Sequence, residues 1–203
     1  MIDAFFPPIC CHCNRIGSVL CDKCYSHIEF SNNATLLDQS LTIQACTRFG
    51  EVSSSIVHTL KYDSVKDLGV VCARIMYMSC LFPEVDIITA VPLHKKRQDQ
   101  RGFNQAEVIA TELSRLLNLQ YLPLLLRQKE TINFAKVTKK DTRARLSSSL
   151  FAINPSFQRL VQNKSILIVD DVWTTGATIT SCAKVLLNQK AIKVSGLVFT
   201  HGL

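Results

Sequence analysis

The sequence predicts an α/β protein built on an open, mainly parallel sheet flanked by helices, with a small cysteine-rich module at its N-terminal end. Three observations carry that expectation. A short uninterrupted apolar run, 166–169, reads as a strand buried on both faces of a sheet, and the stretch 85–93 as another buried strand. Segments with apolar residues at helical spacing follow each of them. Four of the nine cysteines fall within residues 10–24 as two Cys-x2-Cys pairs. A chain of 203 residues suits one ordinary domain with a small appendage. The expected division is 1–38, a zinc-ribbon-like module and linker, and 39–203, the α/β domain.

The apolar fraction of 47% supports a real core, and a net charge of +7 favours polyanionic partners such as nucleic acid or phosphorylated metabolites. The opening MIDAFFPP has an acid at Asp3 and no basic start before an apolar core, so no cleavable signal is expected. No apolar stretch approaches the length of a membrane span. These features lead to the expectation of a cytoplasmic protein without membrane insertion.

In chain order, Cys10, Cys13, Cys21 and Cys24 come first. Each pair can curl so that both sulfurs face one ion, which is a compact tetrahedral pattern for a structural zinc. Cys11 and His12 lie inside the first pair, and either could replace a ligand; unmetallated thiols are the competing reading. Cys46, Cys72, Cys80 and Cys182 are scattered among apolar residues and read as small core side chains. His58 and His94 read as structural histidines. The polar stretch 31–39 reads as a linker. Leu41, Ile43 and Ala45 alternate with polar residues, giving a strand that turns at Phe49-Gly50. A short helix follows over 53–60. A second, opened by Ser64 with Asp67, carries Val65, Leu68, Cys72, Ile75 and Met76 on one face as far as Ser79.

Pro83 and Glu84 end that pattern, and 85–93 is the next strand. Its carboxyl end runs into HKKRQDQRGFNQAE, read as a loop in which Lys95, Lys96, Arg97 and Arg101 face one acid, Asp99. A solvated basic turn is the plain reading. An anion-binding loop is the functional one, because ligands in open α/β sheets collect at the carboxyl ends of strands. Asn104 with Glu107 opens a helix bearing Val108, Ile109, Leu113, Leu116 and Leu117. A strand over 121–126 ends at Arg127 and Lys129, further anion-binding candidates. Residues 131–149 show no periodicity, as binding loops often do. From Arg127 to Arg145 there are seven cations against two acids. Phe151 and Ile153 return the chain to the sheet, and 192–200 supplies its last strand.

The run 165–183 is the most informative. Ile166–Val169 form a buried strand, ended by Asp170 and Asp171, and a turn of Thr174, Thr175, Gly176, Ala177 and Thr178 leads into a helix bearing Ile179, Ala183, Leu186 and Leu187. Free backbone amides at a helix start favour phosphate. Gly176 and Ala177 permit close approach, and the threonine hydroxyls can donate. Two carboxylates would repel a phosphate, so they suit vicinal sugar hydroxyls beside it. The residues therefore suggest a ribose 5-phosphate moiety, with a divalent cation bridging its other oxygens. No Gly-Lys-[Ser/Thr] follows the glycine, which excludes a nucleotide P-loop.

VDDVWTTGAT resembles the phosphoribosyl-pyrophosphate (PRPP) loop of type I phosphoribosyltransferases. The likeness implies that Asp170 and Asp171 hold the ribose hydroxyls, that residues 174–178 hold the 5-phosphate, and that Mg²⁺ accompanies PRPP. The basic candidates Lys95, Lys96, Arg97, Arg101, Arg127 and Lys129 would then face the pyrophosphate. VPLHKKRQDQRGFNQAEVIA, the paired cysteines and the phosphoribosyl loop, in that order, resemble the ComF family of competence proteins over nearly the whole chain. That resemblance implies a zinc-ribbon-like module joined to a type I phosphoribosyltransferase-like domain. It also implies a role in natural transformation, where incoming single-stranded DNA is handled on the cytoplasmic side with a DNA helicase as partner in some bacteria. One departure is Phe134, which stands where the family's Thr-x-x-Gln-like signature has glutamine. Two functions stay open. One is a PRPP- and zinc-binding factor whose basic stretches contact single-stranded DNA, with Phe103, Phe134 and Trp173 as stacking rings. The other is an active phosphoribosyltransferase acting on an unidentified base.

Overall fold

The structure is a computed structural model, and it describes residues 7–31, 34–38, 41–63, 65–128 and 150–202. Among these residues the main sheet has six strands in the order β1-β2-β8-β7-β3-β4. They are Ala34–Asp38 (β1), Leu41–Arg48 (β2), Ile87–Ala90 (β3), Gln120–Tyr121 (β4), Ser165–Trp173 (β7) and Lys193–His201 (β8). Only the β1–β2 pair is antiparallel; β2–β8, β8–β7, β7–β3 and β3–β4 are parallel. Leu125–Arg127 (β5) and Phe151–Ile153 (β6) form a separate antiparallel pair. The helices are Asp22–Tyr25 (α1), Glu51–Tyr62 (α2), Lys66–Ser79 (α3), Lys95–Arg101 (α4), Gln105–Leu117 (α5), Gln158–Val161 (α6) and Ala177–Asn188 (α7), with a 3₁₀ turn at Pro155–Phe157.

The continuous apolar runs do what a sheet covered on both faces requires. On β7, Leu167 and Val169 join one buried cluster with residues of α2, α3 and α5, while Ile166 and Ile168 join a second with residues of α7, β5 and β6. Two glycines set the spacing of these layers. A Cβ on Gly69 of α3 would lie 2.8 Å from Val108 Cγ1 on α5, and one on Gly196 of β8 would lie 2.9 Å from Ile179 Cγ2 on α7. The cysteine module is not a free appendage. Cys10, Cys21, Cys24 and Ile28 are buried in the same cluster as α3 and α5, and Phe30 bridges to Thr47 on β2.

The strand order reverses between β3 and β7. From β3 the chain runs through α4 and α5 to β4 on one side; from β7 it runs through α7 to β8 on the other. Such a reversal opens a crevice at the carboxyl ends of the two central strands.

Several expectations give way. The basic stretch after β3 is not a loop: residues 95–101 are the helix α4, capped by His94, whose Nδ1 accepts from the Lys96 amide at 3.3 Å. The expected strand 121–126 is divided, because Pro123 interrupts it; Gln120–Tyr121 pairs with β3 and Leu125–Arg127 with β6. Phe151 and Ile153 accordingly return the chain to β5 and not to the main sheet. The stretch read as a linker contains the edge strand β1. Helix α3 starts at Lys66 with Val65 in the cap position and no side-chain cap, and Ser64 lies outside the described residues. Residues 129–149, including Lys129 and Phe134, lie outside them as well. Among the described residues no helix is long and apolar enough to cross a membrane.

Candidate functional site

Strand β7 does not stop at the acids. Its pairing with β8 continues through Val172 with Thr200 and Trp173 with His201. Both carboxylates therefore sit on an extended strand, and they lean to different layers. Asp170 is felt by Arg127 and by Cys182 of α7; Asp171 reaches Lys61 at the end of α2, with Nζ 3.0 Å from Oδ2. That ion pair closes on a carboxylate oxygen that is shut off from solvent. The Asp171 amide donates to Asp170 Oδ1 at 2.9 Å. Burial, then the adjacent Asp171 carboxylate, pushes the Asp170 carboxyl well above its ordinary range, against the opposing pull of that amide and of Lys61.

The turn after β7 is open. Thr174, Thr175, Ala177 and Thr178 are exposed, while Gly176 is buried. Gly176 has φ 74°, in the left-handed region, as the N-cap of α7, and no side chain caps that end. Thr175 Oγ1 accepts weakly from the Ala177 amide at 3.4 Å. The first amides of α7 thus face solvent with little internal competition. Behind the turn, the Gly202 amide donates to the Trp173 carbonyl at 2.7 Å.

The RGFNQAE segment works as a clamp. Gly102 ends α4 in a left-handed conformation (φ 79°). Asn104 Oδ1 accepts from the Ala106 amide at 3.2 Å while its Nδ2 donates to the Val91 carbonyl at 3.0 Å, so one side chain caps α5 and ties it to the end of β3. Gln105 Nε2 donates to the Leu60 carbonyl at 3.0 Å, fastening the end of α2 and with it Lys61. Glu107 does not complete a capping box; it lies against the Tyr121 hydroxyl. Arg101 lies 5.7 Å over the Tyr62 ring.

Of the basic candidates, Lys95, Lys96 and Arg97 are exposed on α4 and Arg101 is half-buried. Arg127 is half-buried 5.3 Å over Phe151. Burial, then the like charge of Arg97, lowers its pKa, with Cys182 and Asp170 acting in the opposite direction. Arg127 thus interacts electrostatically with both Arg97 and Asp170, groups remote from it in sequence. Lys129 lies outside the described residues. Lys61 was not legible as a site residue, since nothing at the end of an amphipathic helix marks a lysine as the partner of an acid 110 positions away.

The four cysteines converge. Their Sγ atoms all lie within 4.8 Å of one another, and tetrahedral Zn–S bonds of about 2.3 Å put sulfurs roughly 3.8 Å apart. Asn14 in the left-handed region (φ 59°) tightens the first pair. Cys21 caps α1 and Cys24 lies within it, one helical turn apart. The two neighbours inside the first pair have other contacts: His12 Nδ1 faces Ser55 Oγ at 3.0 Å, while Cys11 packs against the core and is felt by Cys72. Burial raises Cys10, but the amides of Cys13, Cys21 and His12 outweigh it and bring the thiol down to about 6. Burial, then the Cys13 and Cys21 thiols, pushes Cys24 far up. The donor set fits zinc, which when bound holds all four sulfurs as thiolates.

Fold and site define an open, mainly parallel α/β protein with a crevice at its strand reversal and a four-cysteine cluster built into one face. No family model matches the chain. Among curated proteins it is 30% identical over 159 residues to competence protein F of Haemophilus influenzae, covering 72% of this chain and 68% of that protein. It is 26% identical over 198 residues to the DNA utilization protein YhgH of Escherichia coli K12, covering 92% and 86%. The chain belongs to the ComF family of competence proteins. Among solved structures, the glutamine PRPP amidotransferase of Bacillus subtilis overlays with a TM-score of 0.44 and 15% identity, over 68% of this chain and 26% of that one.

Proposed function

We propose that this protein binds PRPP or a related phosphoribosyl ligand, with Mg²⁺, in the crevice between β3 and β7. In this reading it carries a structural zinc on Cys10, Cys13, Cys21 and Cys24. It acts in natural transformation, handling incoming single-stranded DNA on the cytoplasmic side with a DNA helicase as partner. The observation that supports the reading is an uncapped, solvent-open threonine turn following two acids at the strand reversal, with Arg127 interacting electrostatically with Asp170 and Arg97. A 5-phosphate meets the α7 amides and the hydroxyls of Thr174, Thr175 and Thr178; ribose hydroxyls meet Asp170 and Asp171, the latter giving up its ion pair with Lys61; the arginines neutralise a pyrophosphate. Membership of a family that includes competence protein F supports the transformation role.

PRPP with Mg²⁺ is expected to raise the melting temperature, and Asp170→Asn with Asp171→Asn to remove the shift. An unchanged wild-type melting curve at millimolar ligand sinks the assignment. A second reading, transfer of phosphoribose from PRPP to an unidentified base, is favoured by the paired arginines, which suit a departing pyrophosphate. Pyrophosphate release over a panel of bases, nucleosides and DNA separates the two.

A further inference from the structure

A parallel sheet is ordinarily covered on both faces, and on the α3 side this one is covered only in part. Toward the amino ends of the strands, past the last turn of α3, that face opens into a groove of about 270 Å³. Thr42 and Gln44 of β2 and Lys193 of β8 line it from the sheet, and Leu81, Phe82 and Pro83, which follow α3, line it from the side. Strand register explains the bare row: Leu36 pairs with Thr42, Thr42 with Ser195 and Ser195 with Leu167, so these side chains share one face. Around the groove the apolar groups stand in water. Leu81 is 85% exposed, Met78 68% and Leu36 66%. The segment that carries Leu81 is held in place, since the Cys80 amide donates to the Met76 carbonyl at 2.9 Å and the Tyr77 and Phe82 rings lie 6.3 Å apart. A fixed apolar knob beside an open groove marks an interaction surface.

Charge selects the occupant. Exposed Glu84 follows the knob directly and exposed Lys193 lines the groove, and neither enters an ion pair among the described residues. A knob with an acid and a groove with a base, side by side on one chain, are the two halves of a self-complementary contact. A different protein would use only one half. We propose that this face joins two copies of the chain about a twofold axis, Leu81 of each copy entering the groove of the other and Glu84 of each meeting Lys193 of the other. Because the groove lies toward the amino ends of the strands and the crevice at their carboxyl ends, the pairing leaves both crevices open. It does not depend on the phosphoribosyl reading of the threonine turn.

Sedimentation velocity of the full-length, zinc-loaded protein, from low micromolar to about 100 μM, is expected to show a monomer passing into a dimer by mass action. Leu81→Asp places a carboxylate on the knob and is expected to weaken association about tenfold or more. Glu84→Lys and Lys193→Glu each set like charges against each other across the axis and weaken it too. Carried together, the two reversals restore it, because opposite charges meet again. That restoration is a readout that loss of fold cannot imitate. A chain that stays monomeric at about 100 μM overturns the proposal and leaves the groove to a different protein. A dimer of wild-type strength in Leu81→Asp overturns it as well, as does a double reversal that associates no better than either single one.

Discussion

Among the described residues, Lys61 and Asp171 form a charged pair at the crevice that is largely shielded from water, with side-chain exposures of 26% and 12%. Removing the lysine leaves a carboxylate with neither water nor a counter-charge. Lys61→Met is therefore expected to lower stability by about 1–3 kcal/mol, and much less in an Asp171→Asn background, as a double-mutant cycle by urea unfolding will read. Asp170 is different, because its carboxyl is held above its ordinary value of 3.8 by burial and by Asp171. The folded chain keeps a proton that the unfolded chain releases near 3.8. The stability contributed is thus complete below that pH and lost as pH rises through the folded value. Asp170→Asn cannot ionise. It is expected to melt above wild type at neutral pH without ligand, the difference vanishing toward pH 3.8, while giving up the PRPP-dependent shift. A melt series across pH checks both halves. The acids and the threonine turn were readable as a local pattern; Lys61 and the Trp173–His201 pair were not, because the register of strands and helix ends far apart in sequence creates them.

At the scale of elements, helix periodicity made α3, α5 and α7 legible, since their buried faces repeat as the sequence suggested. The basic α4 was missed because it buries nothing, leaving no apolar stripe to betray it. The split at Pro123 was missed because an apolar run looks the same whether one sheet or two claims it. Contact between α3 and α5 rests on Gly69, and Gly69→Ala tests it. Alanine favours a helix by about 1 kcal/mol, but its methyl meets Val108, whose branched side chain is stiff in a helix. Overpacking of about 1–3 kcal/mol prevails, so a net loss of stability is expected in denaturant titration despite the better helix former. The cysteine module shares its buried face with the same helices, so its metal is expected to stabilise more than the module. A quarter of the roughly 10–16 kcal/mol typical of structural zinc in small peptides is about 2.5–4 kcal/mol. Chelation of zinc-loaded protein should then lower the main melting transition by on the order of 10 °C. A separate early transition, with the main one unmoved, contradicts this.

For the molecule as a whole, the parallel sheet was legible from composition and pattern, whereas the strand order was not, because sequence neighbours such as β1–β2 and β3–β4 pair while β2 reaches across to β8. The crevice is a product of that order, which explains why its two halves, far apart in the chain, could be named separately but not joined by pattern alone. The last strand lies in the middle of the sheet, between β2 and β7, and this bears on how the chain is made. While a ribosome is still extending it, β2 and β7 have bare inner margins that only β8 can zip together. Those margins must wait, open to capture by other chains, until residues 193–201 have been made. A chain halted before Lys193 is expected to yield insoluble material with no cooperative melt, even though the turn and both acids have already been built.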